Sequence, residues 1–128
     1  MNKRQFVGAL AKLVAAIPLA PRAAAAQRTL LLQESPLAGF QYHAGESVWS
    51  LLAVDAALTL VREPDNQYDE RAVRLEWNGH KLGFVPRLEN TAVAQLLDCG
   101  EKLSARIVEL KESSNPWERV KFAVAVIV

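Results

Sequence analysis

A single cysteine, two histidines and no glycine-rich phosphate loop leave this 128-residue sequence without most catalytic and metal-binding chemistry. Cys99 has no partner for an intramolecular disulfide, so no disulfide framework exists. It stands just before Gly100 at an expected helix end, with no base placed to activate it, and reads as a core-lining thiol. His43 and His80 fall on separate strand-like segments, far from any serine or cysteine elbow, and without cysteine partners they make no zinc set. Gly79 and Gly83 do not form a GxGxxG loop. Asp65, Asn66, Asp69 and Glu70 are dense in oxygen ligands but lack the glycine and terminal glutamate of a calcium loop. These absences point to a protein that is not an enzyme and that carries no metal and no cofactor. Internal repeats, linkers and low-complexity tracts are missing as well, so the chain reads as one domain behind an N-terminal extension.

The formal net charge of +1 conceals an uneven distribution. Residues 1–26 hold Lys3, Arg4, Lys12 and Arg22 and no acid; the rest holds 11 basic and 14 acidic residues, a net charge of −3. A domain of that balance does not hold nucleic acid by bulk charge. The extension has the parts of a secretory signal peptide: a basic start, a short apolar run from Phe6 to Ala20, helix-breaking Pro18 and Pro21, and an A-x-A site in Ala23–Ala26. The apolar run is too short to span a bilayer comfortably, and Lys12 interrupts it. The expectation is removal of residues 1–26, export to the periplasm and no stable membrane insertion afterwards; without a working signal the protein stays cytoplasmic. The mature domain is then 27–128.

Along that domain, strand signals alternate with turns. Thr29–Leu32 is apolar and is broken by Ser35-Pro36. Leu37–His43 reads as a strand with Phe40 and Tyr42 on one face. Asp55–Val61 and Ala72–Trp77 alternate, and Asn78-Gly79 joins the second of these to Lys81–Val85 as a hairpin. Glu89–Asp98 carries Ala92, Val93, Leu96 and Leu97 at helical spacing, with Asn90 as a candidate N-cap and Gly100 as a stop. Lys102–Lys111 and Trp117–Val128 supply two more strands. About six short strands and one helix describe a mainly β protein, a small closed or nearly closed barrel. Trp49, Trp77 and Trp117 read as core or half-buried packing.

Between two of the strands lies Arg62–Val73, the stretch richest in turn residues. Pro64 fixes its own φ, and Asp65 and Asn66 suit turn geometry. Taken alone, Tyr68 is a core plug and Asp69 the closer of a turn. However, R-E-P-D-N-Q-Y-D-E-R-A-V, followed by W-N-G-H-K-L-G-F-V-P-R and a helix ending L-L-D-C-G, closely resembles the HIRAN domain family from about Leu37 to Val128. The resemblance implies an OB-like β-barrel that captures the 3′ end of single-stranded DNA. It matches Tyr42 to an aromatic that stacks on a base. Tyr68 and Asp69 match the pair at the end-binding pocket, Asn66 the asparagine beside them, and Arg87 a basic residue placed to meet phosphate, with Lys81 a weaker candidate. Gln41 and Phe84 depart from the family pattern, standing where DNA-binding members have a basic and a polar residue.

Two readings follow: a module that binds a single-stranded DNA end, and an exported interaction or scaffold protein with an unknown protein partner that keeps the fold without DNA. Export has its own test. Expressed in a bacterial host, the chain is expected to yield a product whose N-terminal sequence starts near Gln27; product in the cytoplasm still starting at Met1 would contradict it.

Overall fold

Alternation of buried and exposed residues builds six antiparallel strands in the computed structural model, which describes residues 27–128; the expected signal peptide, 1–26, lies outside the described residues. The strands are β1 (Thr29–Pro36), β2 (Ala57–Glu63), β3 (Ala72–Trp77), β4 (His80–Phe84), β5 (Leu103–Leu110) and β6 (Val120–Ile127). They form one sheet in the order β1-β6-β5-β2-β3-β4. Two helices accompany them: a single turn, α1 (Gly45–Val48), and α2 (Thr91–Asp98). The ladder is open, with β1 and β4 at its edges. One bridge approaches closure: Ala38, just beyond β1, donates to and accepts from Phe84 of β4, both at 2.9 Å. Gly83 permits this approach, because a β-carbon there would collide with the Ala38 carbonyl.

The inward faces meet in a core that includes Leu37, Phe40, Leu75, Leu82, Ile107 and Phe122, all 0% exposed. Val73, Leu75 and Trp77 share the inner side of β3 as their period of two requires, though Trp77 is only half buried. The Asn78-Gly79 hairpin forms as expected, both residues at positive φ (46° and 81°), the signature of a type I′ turn.

Several expectations fail locally, among them Trp117, read as core or half-buried and 58% exposed. Leu37–His43 is not a strand: Gly39 is left-handed at φ 77°, and Phe40–Tyr42 is one 3-10 turn. That turn puts Phe40 in the core and Tyr42 outside, where a strand would have put both on one face. The first strand lies earlier and runs through Ser35-Pro36, since a proline is harmless on an edge that needs no donor. Cys99 caps the end of α2 and is exposed rather than core-lining. In α2 itself Val93 and Ala94 are the buried residues, while Ala92 faces out. Gly100 stops the helix at φ 84°, as read.

The 3-10 turn is held from below. Phe40 meets Trp49 edge-on at 5.7 Å, and the Arg119 guanidinium lies 4.1 Å over Trp49 and 5.0 Å over Phe40 while pairing with Glu46. Gly45 leaves room for the Phe40 ring.

Replacing Gly79 by valine forces a β-branched residue to positive φ. The expected cost is about 1–2 kcal/mol of stability, read as a lower midpoint in urea denaturation. An unchanged midpoint would show that the turn tolerates the strain.

Candidate functional site

Between β2 and β3 the backbone makes three successive turns that share their corner residues. The amide of Asn66 bonds the Glu63 carbonyl at 3.1 Å, that of Asp69 the Asn66 carbonyl at 3.3 Å, and that of Ala72 the Asp69 carbonyl at 3.0 Å. Pro64 stands second in the first turn, where its fixed φ fits. The two shared corners are the residues whose short polar side chains can bond their own backbone. Asn66 Oδ1 accepts the amides of Tyr68 (2.8 Å) and Asp69 (3.1 Å), and Asp69 Oδ1 accepts that of Arg71 (3.0 Å). With its backbone so tied, Tyr68 extends from the middle turn and is 77% exposed, so it is not a core plug.

Side chains then fasten the turn to the domain. Asn66 Nδ2 donates to Glu63 Oε1 at 2.9 Å. Fully buried Asn90 donates to Asp69 Oδ2 at 2.7 Å. Asn90 stands at the N-cap position of α2 but makes no side-chain cap; its amide is turned toward Asp69 instead. Arg62 holds Asp98 through two bonds, 2.9 and 3.1 Å, and donates to the Ala72 carbonyl at 2.8 Å, tying β2 to the far end of α2. The same pairing holds the Asp98 carboxyl below the usual aspartate range. Burial opposes ionisation of Glu63, but hydrogen bonds from Asn66 and Arg74 outweigh it and keep that carboxyl below the usual range too.

The five residues singled out from the sequence come together. Asn66, Tyr68, Asp69 and Arg87 line a recess of about 240 Å³ whose floor is Ala38, Ala72, Phe84 and Val85. Tyr42, also 77% exposed, lines an adjoining recess of about 390 Å³ with His43 and Lys81. Ala38, Asn66, Tyr68 and Phe84 border both, so the two form one groove, with Tyr68 on the shared border and Tyr42 in the second recess. Lys81 lies 4.6 Å over the Phe84 ring, and Arg87 is exposed with no ion pair among the described residues. Burial, followed by the charge of Lys81, pushes His43 below the usual histidine range, so it stays uncharged at neutral pH. The groove therefore offers two exposed aromatic rings, an apolar floor, two cations and one carboxylate.

Gln41 is exposed beside Tyr42, and Phe84, half buried, supplies floor where the resemblance implied a polar group. Sequence reasoning missed Asn90 as a fixing residue and Ala38 as part of the floor. The first had a signal, an asparagine at the head of an apolar helix, but the cap explained it equally well. The second had none, since the contact depends on a loop crossing to β4.

The HIRAN domain family model matches residues 30–128. Among solved structures, a protein from Lactobacillus plantarum superposes with a TM-score of 0.68 at 25% identity, covering 78% of this chain and 96% of that one. The HIRAN domain of human HLTF superposes with a TM-score of 0.61 at 18% identity, covering 77% of this chain and 78% of that one; this second likeness concerns the fold alone. No curated protein matches.

Asn90→Ala removes the donor to Asp69 and leaves a carboxylate oxygen unpaired at the base of the turn. The expected loss is about 1–3 kcal/mol of unfolding free energy in urea. Wild-type stability in this variant would show that the turn stands without its attachment to α2.

Proposed function

The chain belongs to the HIRAN domain family, known for nucleic-acid binding, and we propose that it binds single-stranded DNA in the groove between Tyr42 and Tyr68, with the 3′ terminus at Asp69. The observation that carries this reading is the pair of tyrosines, each 77% exposed, lining one groove. Large aromatic rings left in water cost a folded domain apolar exposure, and a nucleobase covers such a ring whatever its sequence. HIRAN domains are generally binding modules, and the groove supports that role rather than a reaction.

Each contact has a distinct chemistry. Tyr42 and Tyr68 stack on bases. Arg87 and Lys81 meet backbone phosphates at the two ends of the groove. Asp69 receives the terminal hydroxyl: each of its oxygens accepts one internal bond and keeps a further acceptor site. A recess of about 240 Å³ is smaller than a usual cofactor site and suits a chain end. A 3′-phosphate in the same place meets the carboxylate as a like charge. The export reading of residues 1–26 belongs to this proposal, and puts the ligand outside the cytoplasm. The apolar floor favours the second reading, in which a protein segment occupies the groove.

Fluorescence anisotropy with short oligonucleotides tests the proposal. Single-stranded DNA with a free 3′-hydroxyl is expected to bind more tightly than the 3′-phosphorylated strand. Tyr42→Ala and Tyr68→Ala should each cost about 1–3 kcal/mol. With two cations engaged, the slope of log K against log salt should be shallow, about −1.4. Asp69→Asn should abolish the preference between the two ends. It keeps the oxygen that accepts the Arg71 amide, and a flip of the Asn90 amide to accept from the new side chain gives up the 3.5 Å bond from Arg71 Nε. Equal affinity of the wild type for both ends would remove the Asp69 role. No binding at low salt would leave the groove to a protein partner.

A further inference from the structure

The two edges of the open sheet are treated differently. Along β4, Phe84 bonds Ala38 in both directions and the Lys81 carbonyl accepts from Ala44, so the loop after β1 covers that edge. β1 has β6 on one side, and among the described residues no strand pairs with the other side of its N-terminal half. The register identifies which backbone groups are free. Arg28 accepts from Val128, and Arg28, Thr29 and Leu30 stand opposite Val128, Ile127 and Val126 in one continuous register. Hydrogen-bonded pairs alternate along an antiparallel ladder, so Arg28 and Leu30 turn their N–H and C=O toward β6. Thr29 and Leu31 turn theirs away.

The usual defences of an edge strand are confined to the other half of β1. Beyond the irregularity between Leu31 and Gln33 come the charge of Glu34 and then Pro36, which has no N–H to offer. The Gln33 side chain there reaches the Glu89 carbonyl at 2.9 Å, bringing the loop before α2 over this end. From Thr29 to Leu32 there is no charge and no proline. Leu30 and Leu31 are 61% and 63% exposed.

We propose that a second copy of this chain pairs with the free half of β1, antiparallel strand to strand across a two-fold axis. Centred on Leu30, this register sets Leu30 against Leu30 of the second copy and Thr29 against Leu31 in both directions. Thr29 and Leu31 are the residues with free groups, so each copy donates two bonds and accepts two. The same register keeps faces matched, with Thr29 and Leu31 on one side of the sheet and Leu30 on the other, and it ends before the irregularity. A one-residue slip would set inward against outward side chains. The two-fold closes the contact at two copies instead of propagating it. Charge does not oppose it, because Arg28 stands opposite Leu32. The contact is short, so the pair is weak and concentration-dependent. Leu31 lies seven residues from Ala38 along the chain, on the order of 20 Å if extended, so both grooves stay open.

Amide hydrogen exchange of the full chain, followed by NMR at concentrations from about 10 μM to about 1 mM, tests this together with sedimentation equilibrium. The expected result is a dimer at the upper end, with the Thr29 and Leu31 amides becoming at least tenfold slower to exchange as it forms while Leu30 is protected throughout. Leu31→Lys and Leu31→Pro should each return the protein to monomer, and Leu31→Lys should leave thermal melting at low concentration unchanged. A monomer at every concentration would overturn the proposal. So would a dimer that survives both substitutions, or Thr29 and Leu31 protection that does not vary with concentration; the last assigns the edge to residues 1–26. Because DNA is absent from these measurements, their outcome is independent of the groove's ligand.

Discussion

The hydrogen bond from the buried amide of Asn90 to the Asp69 carboxylate, beside which the Asn90 oxygen accepts from Arg71 Nε at 3.5 Å, anchors the series of turns to the residue that opens α2. Asn90 is 0% exposed, so the bond is formed away from water and a missing partner would leave a buried polar group unsatisfied. It fixes one end of the last turn, and the Arg62–Asp98 pair fixes β2 to the opposite end of α2. Between these two attachments the position of Tyr68 is determined by backbone geometry, even though its ring touches mostly solvent. An exposed ring with few contacts becomes a usable surface only when its backbone cannot wander.

The other side of the groove is fixed by packing rather than hydrogen bonds. Phe40 is locked between Trp49, Arg119 and Gly45, and this holds the 3-10 turn that presents Tyr42. The Ala38–Phe84 bridge sets the distance between the two sides, and Gly83 is what lets the chains come so close. Polar and apolar devices thus converge on one concavity from β2, β3, β4 and the loop after β1.

Much of this was legible in the residues. Asn78-Gly79 allows few structures other than a tight hairpin, and β3 alternates without interruption, so both fell where expected. The P-D-N-x-Y-D series was legible as turns because Asn66 and Asp69 each bond the backbone within three residues of themselves. What failed depended on distant contacts. Phe40-Gln41-Tyr42-His43 alternates like a strand, and only the left-handed Gly39 and the Phe40 pocket make it a turn. Ser35-Pro36 looks like a break, and only its place on an open edge makes it part of β1. Asn90 satisfies the rules for a cap, and only the approach of Asp69 turns its amide elsewhere. Local chemistry decided what local chemistry could reach.

The proposed binding mode sets stacking against an unfavourable background charge. The domain beyond residue 26 has 11 basic and 14 acidic residues, and Lys81 and Arg87 are the cations of the groove. If stacking contributes about 1–3 kcal/mol for each ring, two rings outweigh what two screened phosphate contacts add. The most direct measurement is an NMR titration of the protein with a short single strand bearing a free 3′-hydroxyl. The account predicts that resonances of Tyr42, Asn66, Tyr68, Asp69 and Arg87 shift together and saturate, while those of β1 stay in place. Shifts spread over other faces of the sheet, or none at concentrations where the strand is in excess, would contradict it.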